Sequence, residues 1–436
     1  MKNNIKYIHL TIYTSIALMI IASSPRSVDW TSYSKIWSYI MWVSWLVGMV
    51  IMTWQVILGI RAIWGSWISD FFAVNNIHKY LWIWSFSAII IHPIAVLIAY
   101  SSSFLFLFER SFANKYAIYI TAGRIARQLI VVVFLTSVII RKFMKYKLRH
   151  NLHLLTYIAI LLVWFHGLFT GTMIKWIPWV YVYWRVMGII LIIVTAYRFA
   201  FQYGFGKLKS QIISNIPLTN HIYELKIQLP KSIKYEAWQF VYIQVGRWTS
   251  SHPFTVAEYD GINNQLIIAY KKAWEYTHVL SNIKSWDIYM DGPYGNFGQI
   301  DNSWTQNIIC FAGGIGITPF ISLGEKYHDL ENFRLIYLNQ HIWDDIYHEK
   351  LSTKLKNKIV YIFSREKDKS KYIYTEEGYI DSRFNSEIFD NIVPKNIQRQ
   401  TIYLLCWSVN MVKWITSMLI YKWISLSNIR YEPFNM

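Results

Sequence analysis

Four of the chain's twelve histidines are spaced for metal chemistry. His78 and His92 stand 14 residues apart, and His153 and His166 stand 13 apart. On helices these separations are about 21 Å and about 19.5 Å along the axis, so the two pairs match in height. Neutral imidazole is an axial ligand of haem iron, and an iron held by two imidazoles is coordinatively full. Two such helices would set His78 level with His153 and His92 level with His166, one iron above the other. The plainer alternative is four histidines hydrogen-bonded between helices. Ionisable residues in lipid are costly, and two matched pairs favour haem over scattered histidines. The phase is imperfect. Fourteen residues return a straight helix to within about 40° of one face, whereas thirteen miss it by about 140°. The second helix must be distorted, or its histidines approach from different sides.

The elements that carry these histidines are long and apolar. Uncharged runs of 25, 29 and 25 residues separate Lys35 from Arg61, Lys79 from Glu109 and Arg149 from Lys175. Each exceeds the ~20 residues that cross a bilayer. Residues 7–24, 119–140 and 179–200 are shorter or interrupted candidates, which makes six transmembrane helices. The first has a basic start and an apolar core, as a signal peptide does; with no small-x-small site before Pro25 it is kept as a helix. Residues 1–206 hold 18 Lys/Arg against Asp29, Asp70 and Glu109, while residues 207–436 hold 25 against 22 acidic. An excess of basic residues among apolar runs reads as loop charge on a membrane domain, not as a nucleic-acid surface. The loop 141–149 is the most basic and is expected to be cytoplasmic, with both termini on that side. Arg124, Arg127 and Arg185 are candidates to meet haem propionates or simply to set topology. Only two cysteines, Cys310 and Cys406, are present, which excludes a disulfide scaffold and a cysteine-ligated zinc or iron–sulfur centre.

After about residue 206 the texture changes. Short β-rich runs at 221–229, 239–245, 254–259 and 265–270 predict a small antiparallel barrel. From about 303, strands at 307–311, 333–338, 358–363 and 402–406 alternate with helical stretches, as in a parallel α/β sheet. Local motifs sit on this frame. His252-Pro253-Phe254-Thr255 opens a strand, and its Thr hydroxyl could hydrogen-bond a flavin ring. Asp291-Gly292-Pro293-Tyr294-Gly295 has glycines that allow backbone to approach a ligand, or that simply make a turn. Gly313-Gly314-Ile315-Gly316-Ile317-Thr318 follows an apolar strand and opens a helix, a setting for pyrophosphate. Cys406 closes another apolar strand, and Glu432 and Phe434 lie near the end of the sequence.

In this order the features resemble the NADPH oxidase/ferric reductase family over nearly the whole chain, most of all its short prokaryotic members. The second half is similar to ferredoxin–NADP reductases. The resemblance implies three domains: a six-helix transmembrane haem-binding bundle (1–206), an antiparallel β-barrel FAD domain (207–302) and an α/β NAD(P)H domain (303–436). It implies His78, His92, His153 and His166 as ligands of two b-type haems, and His252 to Thr255 with Gly292 and Gly295 about FAD. Gly313, Gly314, Gly316 and Thr318 would hold the nucleotide, Cys406 would lie near the nicotinamide with Glu432 as a further catalytic group, and Phe434 would cover the flavin. Ser364-Arg365 is similar to a pair that grips a 2′-phosphate, which favours NADPH over NADH; the charged run at 366–369 supports a solvated loop instead.

One departure stands out. The family has glycine where this chain has Trp238, Trp274, Trp286 and Trp407. The chain holds 22 Trp and 19 Gly, an inversion for a globular protein. Some of these tryptophans are expected to be UGA codons that certain bacteria read as glycine.

The resulting expectation is a multi-pass protein of a bacterial cell membrane, with its flavin and nucleotide domains cytoplasmic. It would pass electrons from NADPH through FAD and two haems to an external acceptor. Dioxygen, giving superoxide, and a ferric chelate both remain open as that acceptor. A rival of another class is a non-catalytic membrane scaffold with degenerate pockets. Oligomeric state is not legible.

Overall fold

The computed structural model describes residues 2–23, 31–64, 71–171, 174–175, 177–233, 235–236, 238–283, 286–300, 307–365, 379–381 and 383–434. The charged run at 366–369 lies outside them. The chain divides into two compact units, Met1–Phe201 and Gln202–Met436.

The first unit is helical. Its main helices are α1 (Lys2–Ser23), α2 (Tyr33–Leu58), α3 (Phe71–Ala99), α4 (Lys115–Phe134), α5 (Tyr146–His153), α6 (Leu155–Thr170) and α7 (Pro178–Gln202). Six stretches are long and apolar enough to cross a membrane: Ile5–Ala22, Tyr33–Leu58, Val74–Ala99, Lys115–Ile139, Leu148–Thr170 and Pro178–Gln202. The Asn114 side chain caps α4 by accepting from the Ala117 amide at 2.9 Å, satisfying one of the donors that a helix start leaves unpaired. α4 runs into a π-helical turn at Leu135–Ile139. Met49 and Val50 of α2, Ile130 and Val133 of α4, and Ala159 and Ile160 of α6 fill the interior. Glycines there admit indoles: Trp45 lies against Gly167 and Trp164 against Gly188, and Trp164 Nε1 donates to the Trp184 carbonyl at 3.0 Å.

The span that carries His153 and His166 is interrupted. α5 ends at His153 and α6 begins at Leu155; between them the Leu154 amide is shared by the His150 and Asn151 carbonyls, at 3.2 Å each. Such a three-residue bond tightens the turn. Leu154 keeps helical angles (φ −63°, ψ −20°), and a tightened turn adds only about 20° per residue, so this joint does not by itself remove the mismatch of about 140° that a 13-residue spacing leaves.

The second unit contains two sheets. The first is antiparallel and curled, of strands β1 (Leu208–Pro217), β2 (Ile222–Gln228), β3 (Phe240–Val245), β4 (His252–Thr255), β5 (Glu258–Asp260), β6 (Gln265–Lys271) and β7 (Asp287–Tyr294), in the order β4-β3-β7-β1-β2-β6-β5. Alternate residues such as Leu225, Ile227, Val241, Ile243, Leu266 and Ile268 point into one core, the pattern of a half-buried sheet. The run read as one strand at 254–259 is split into β4 and β5. β1 and β7 carry too many polar and Gly-Pro positions to stand out as strands, yet both are paired on two sides.

The second sheet is parallel: β8 (Asn307–Gly313), β9 (Asn332–Asn339), β10 (Ile359–Phe363), β11 (Tyr379–Asp381), β12 (Ile402–Ser408) and β13 (Ile429–Phe434), in the order β11-β10-β9-β8-β12-β13. Every residue of β8 is buried. Ile308, Cys310 and Ala312 join the core on one face, and Ile309 and Phe311 join the core on the other, as period-two geometry with both faces covered requires. Helices α8 (Thr318–Tyr327), α9 (His348–Leu355) and α10 (Val409–Tyr421) accompany the strands. The chain winds from β8 outward to β9, β10 and β11, then returns to β12 on the other side. The order therefore reverses between β8 and β12, and ligands of such sheets bind outside the carboxyl ends of the strands at that reversal.

Candidate functional site

In the helical unit the histidines meet in the expected pairs. The rings of His78 and His153 have centres 6.4 Å apart and planes inclined by 67°. Those of His92 and His166 are 6.5 Å apart and inclined by 73°. A metal bonded to two imidazole nitrogens at about 2 Å sets the ring centres about 6 Å apart. The second ring nitrogens are occupied. His92 Nδ1 donates to the Met41 carbonyl at 3.0 Å, His166 Nδ1 to the Tyr119 carbonyl at 3.0 Å and His78 Nδ1 to the Gln55 carbonyl at 3.2 Å. A carbonyl only accepts, so the proton sits on Nδ1 and the Nε2 lone pair stays available to a metal. His153 differs: its Nδ1 lies 3.3 Å from Ser137 Oγ, in the π-helical turn. Gly123 gives His166 its space, since a Cβ there would come within 2.7 Å of the ring.

Among the described residues no three His, Cys, Asp or Glu side chains gather for a metal ion. Two imidazoles suit a group that brings its other iron ligands with it, which is haem; the four residues fit that group. Arg124 and Arg127 are already engaged. They donate to the carbonyls of Glu109 and Leu107, and their guanidinium groups lie over Phe106 at 4.1 Å and Phe108 at 5.3 Å. Arg185 lies over the Tyr181 ring at 5.6 Å.

In the curled sheet, His252 to Thr255 form β4, with Phe254 and Thr255 buried and Pro253 exposed. The His252 ring lies 4.1 Å from Tyr276 and edge-on to Trp274 at 4.8 Å. Burial lowers the His252 pKa below its usual value, so the ring is neutral at pH 7. Asp291 and Gly292 belong to β7, beside β3. Tyr294 Oη donates to Asp291 Oδ2 at 3.0 Å, and Lys207 Nζ lies 3.8 Å from Oδ1. Gly292 (φ 133°) and Gly295 (φ 101°) take conformations that admit no ordinary side chain. The strand end turns beside Phe240 there. The motif read as turn or ligand contact is thus the end of a central strand.

The parallel sheet brings the remaining candidates to one edge. Gly313 ends β8, and Gly314 and Gly316 lie in the turn that leads to Thr318 at the start of α8. Cys406 is in register with Ala312 on one side and Glu432 on the other. The backbone at Gly316 touches the Cys406 carbonyl so closely that a Cβ would have no room. Ser364 and Arg365 follow β10, where their amides donate to the carbonyls of Asn339 and Gln340 at 3.0 Å each. Phe434 closes β13, paired with Ser408. Burial pushes the Cys406 thiol well above its usual pKa and lifts the Glu432 carboxyl to about 8. Both groups are therefore protonated at pH 7, and Glu432 Oε2 is buried with no hydrogen-bond partner. The glycine turn leads from the end of β8 into the N-terminus of α8, the strand–turn–helix setting in which backbone amides can meet a pyrophosphate. The Trp407 indole lies directly on Gly313 and packs on the core of Ile309 and Phe311, on the sheet face opposite the Cys406 side chain.

Residues 207–297 match the model of an FAD-binding domain family. Over 126 residues the chain is 29% identical to Ferric reduction oxidase 4 of Arabidopsis thaliana, a stretch equal to 26% of this chain and 18% of the plant protein. Over that stretch the chain is similar to a ferric reduction oxidase, and it carries an FAD-binding domain of an oxidoreductase. The chain is also 23% identical over 207 residues to the electron transfer subunit of dihydroorotate dehydrogenase B (NAD(+)) from Fusobacterium nucleatum subsp. nucleatum, covering 46% of this chain and 74% of that subunit. A ferredoxin NADP+ reductase from Neisseria gonorrhoeae, with bound FAD and NADP, superposes with a TM-score of 0.45 at 16% identity, over 52% of this chain and 99% of that one. The match to the plant relative spans under a fifth of that protein's length.

Several members of these sites carry no sequence signal. The Met41, Tyr119 and Gln55 carbonyls act through backbone, whatever their side chains. Ser137 and Gly123 are common residue types in apolar helices, and only the fold sets them beside a histidine.

Proposed function

We propose that the chain is a transmembrane oxidoreductase that draws electrons from NADPH on the cytoplasmic side and delivers them to an external acceptor. Dioxygen, giving superoxide, is the first reading of that acceptor and a ferric chelate the second. Residues 1–206 would hold two b-type haems, 207–302 FAD and 303–436 the nucleotide. Bound there, the flavin would accept a hydride and release electrons singly, and the haems would relay them.

The rest is the work of this chain's residues. His78 with His153, and His92 with His166, would supply Nε2 as ligands to haem iron, while carbonyls hold the Nδ1 sides of His78, His92 and His166 and Ser137 lies at that of His153. Thr255, beside His252, Pro253 and Phe254, would contact the flavin ring, with Phe434 over it. The amides of Gly313, Gly314 and Gly316 and the hydroxyl of Thr318 would take the pyrophosphate. Ser364 and Arg365 would take a 2′-phosphate, where a guanidinium offers two parallel donors. Protonated Glu432 would keep a neutral, dry wall behind Cys406.

The observation that carries this reading is the pairing of four histidines, two by two, at ring separations of 6.4 and 6.5 Å. The test is the reduced-minus-oxidised spectrum of the purified chain with FAD and NADPH. Two bis-imidazole haems per chain are expected. Absence of haem and flavin after supplementation would favour a scaffold with dead pockets. Anaerobic reduction of a ferric chelate, compared with superoxide formed in air, separates the two acceptors.

A further inference from the structure

Three tryptophans of the second unit stand where the structure asks for glycine. We propose that residues 238, 407 and 423 are glycine in the working protein, their codons being UGA read as glycine.

Residue 423 is the clearest. α10 ends at Tyr421, with Lys422 as its cap. The Trp423 amide donates to the Ile420 carbonyl at 2.9 Å, and the Ile424 amide to the Leu419 carbonyl at 3.1 Å. This crossed pair of bonds is the Schellman ending, whose turning residue is left-handed and usually glycine. Here that residue is Trp423, at φ 63°. A Cβ in this region crowds the following carbonyl. The side chain is 80% exposed, so little packing offsets the strain.

Residue 238 repeats the feature at φ 79°, in the turn before β3. A bulky residue there is a conformational outlier. Its buried ring fills space against Gly298 and under Lys326, but filling that space does not relieve the backbone.

Residue 407 is argued from space instead. It follows Cys406 at the reversal between β8 and β12, and its indole occupies the ground over Gly313. This is the place in the sheet where a ligand belongs. The indole also packs on the core of Ile309 and Phe311, and a glycine in its place would uncover the Gly313 backbone at the end of β8.

Other tryptophans behave differently. Trp54 Nε1 donates to Ser15 Oγ at 3.1 Å, and Trp164 Nε1 donates to the Trp184 carbonyl; both sit in the apolar bundle, where indoles belong. Trp274 has φ −145°, and Trp286 is not among the left-handed residues, so neither is included. Composition agrees: 19 glycines in 436 residues fall about a dozen short of the usual ~7%.

The part concerning 407 rests on reading the β8/β12 crevice as the nucleotide's; the parts at 238 and 423 do not. The decisive experiment is peptide mass spectrometry of the chain isolated from its own cells, with the codons read beside it. Glycine at 238, 407 and 423, over UGA codons, is the expected result. Tryptophan at any of the three, or a UGG codon there, overturns the proposal for that position. A second measurement compares NADP+ binding by the full recombinant chain carrying Trp407 with its Trp407→Gly variant, at equal flavin content. At least tenfold tighter binding is expected. Glycine in the peptides without that gain would uphold the assignment and remove the nucleotide from this crevice.

Discussion

A carboxyl group with a buried oxygen that no donor meets holds its proton more tightly, and Glu432 Oε2 is such an oxygen. Folded, it titrates at about 8; its ordinary value is 4.5. Between those values the folded chain binds a proton that the unfolded chain has lost. The group's contribution to stability is therefore complete below about pH 4.5 and is lost as pH rises to about 8, at up to about 1.4 kcal/mol per pH unit. Glu432→Gln keeps the shape and removes the titration. Thermal melting of the full chain in detergent should fall less between pH 5 and 8 for the variant than for the parent; parallel curves would contradict this account. Gly123 is a second residue-level test. It leaves room for the His166 ring, which a Cβ would enter. Gly123→Val should cost the chain about half its haem absorbance while the flavin content stays unchanged. Retention of both haems would mean that His166 is not held where the geometry puts it.

At the scale of elements, the joint at Leu154 lies in the one span that carries both His153 and His166. Inserting one alanine between Leu154 and Leu155 would turn α6 by about 100° and advance it by 1.5 Å relative to α5. His166 should then leave His92 while His153 still faces His78, and a haem titration should fall from two equivalents to one. The same insertion after Thr170, beyond both histidines, should leave two. The sequence carried much of this. Apolar runs marked the six spans, equal heights marked the histidine pairs, and the strand–glycine–helix rhythm marked the edge of the parallel sheet. The remainder was hidden for physical reasons. The site of the break has no proline or glycine at Leu154 to announce it. β7 ends in Gly-Pro, which reads as a turn until β3 and β1 are seen on either side. Carbonyl partners such as Met41 and Tyr119 work through backbone and leave no trace in residue type. The adjacency of Cys406 and Glu432, 26 positions apart, exists only through the register of two parallel strands.

For the whole molecule, the division of charge and of packing points the same way. The first unit carries the basic excess and the apolar spans; residues 207–436 are close to neutral, with 25 basic against 22 acidic residues. Each unit has its own cores. Among the described residues, the helical interior is built from α1, α2, α3, α4, α6 and α7, whereas the cores of the curled and parallel sheets hold Val241, Ile268, Phe311 and Phe320 and no residue before Gln202. The two sheets are tied to each other inside the second unit: Ser322 Oγ donates to the Ala257 carbonyl at 2.5 Å, and Lys350 Nζ reaches Glu258 and Glu325. A polypeptide of residues 202–436 should therefore fold alone, remain in solution without detergent and retain FAD through gel filtration. With NADPH it should reduce a soluble one-electron dye, while showing no haem band and no reduction of an acceptor enclosed in vesicles. Adding the helical unit back as the full chain, reconstituted with haem, should restore only that last activity. If the fragment aggregates or sheds its flavin, the flavin half depends on the helices for its fold, and the two units are not separable as their cores imply.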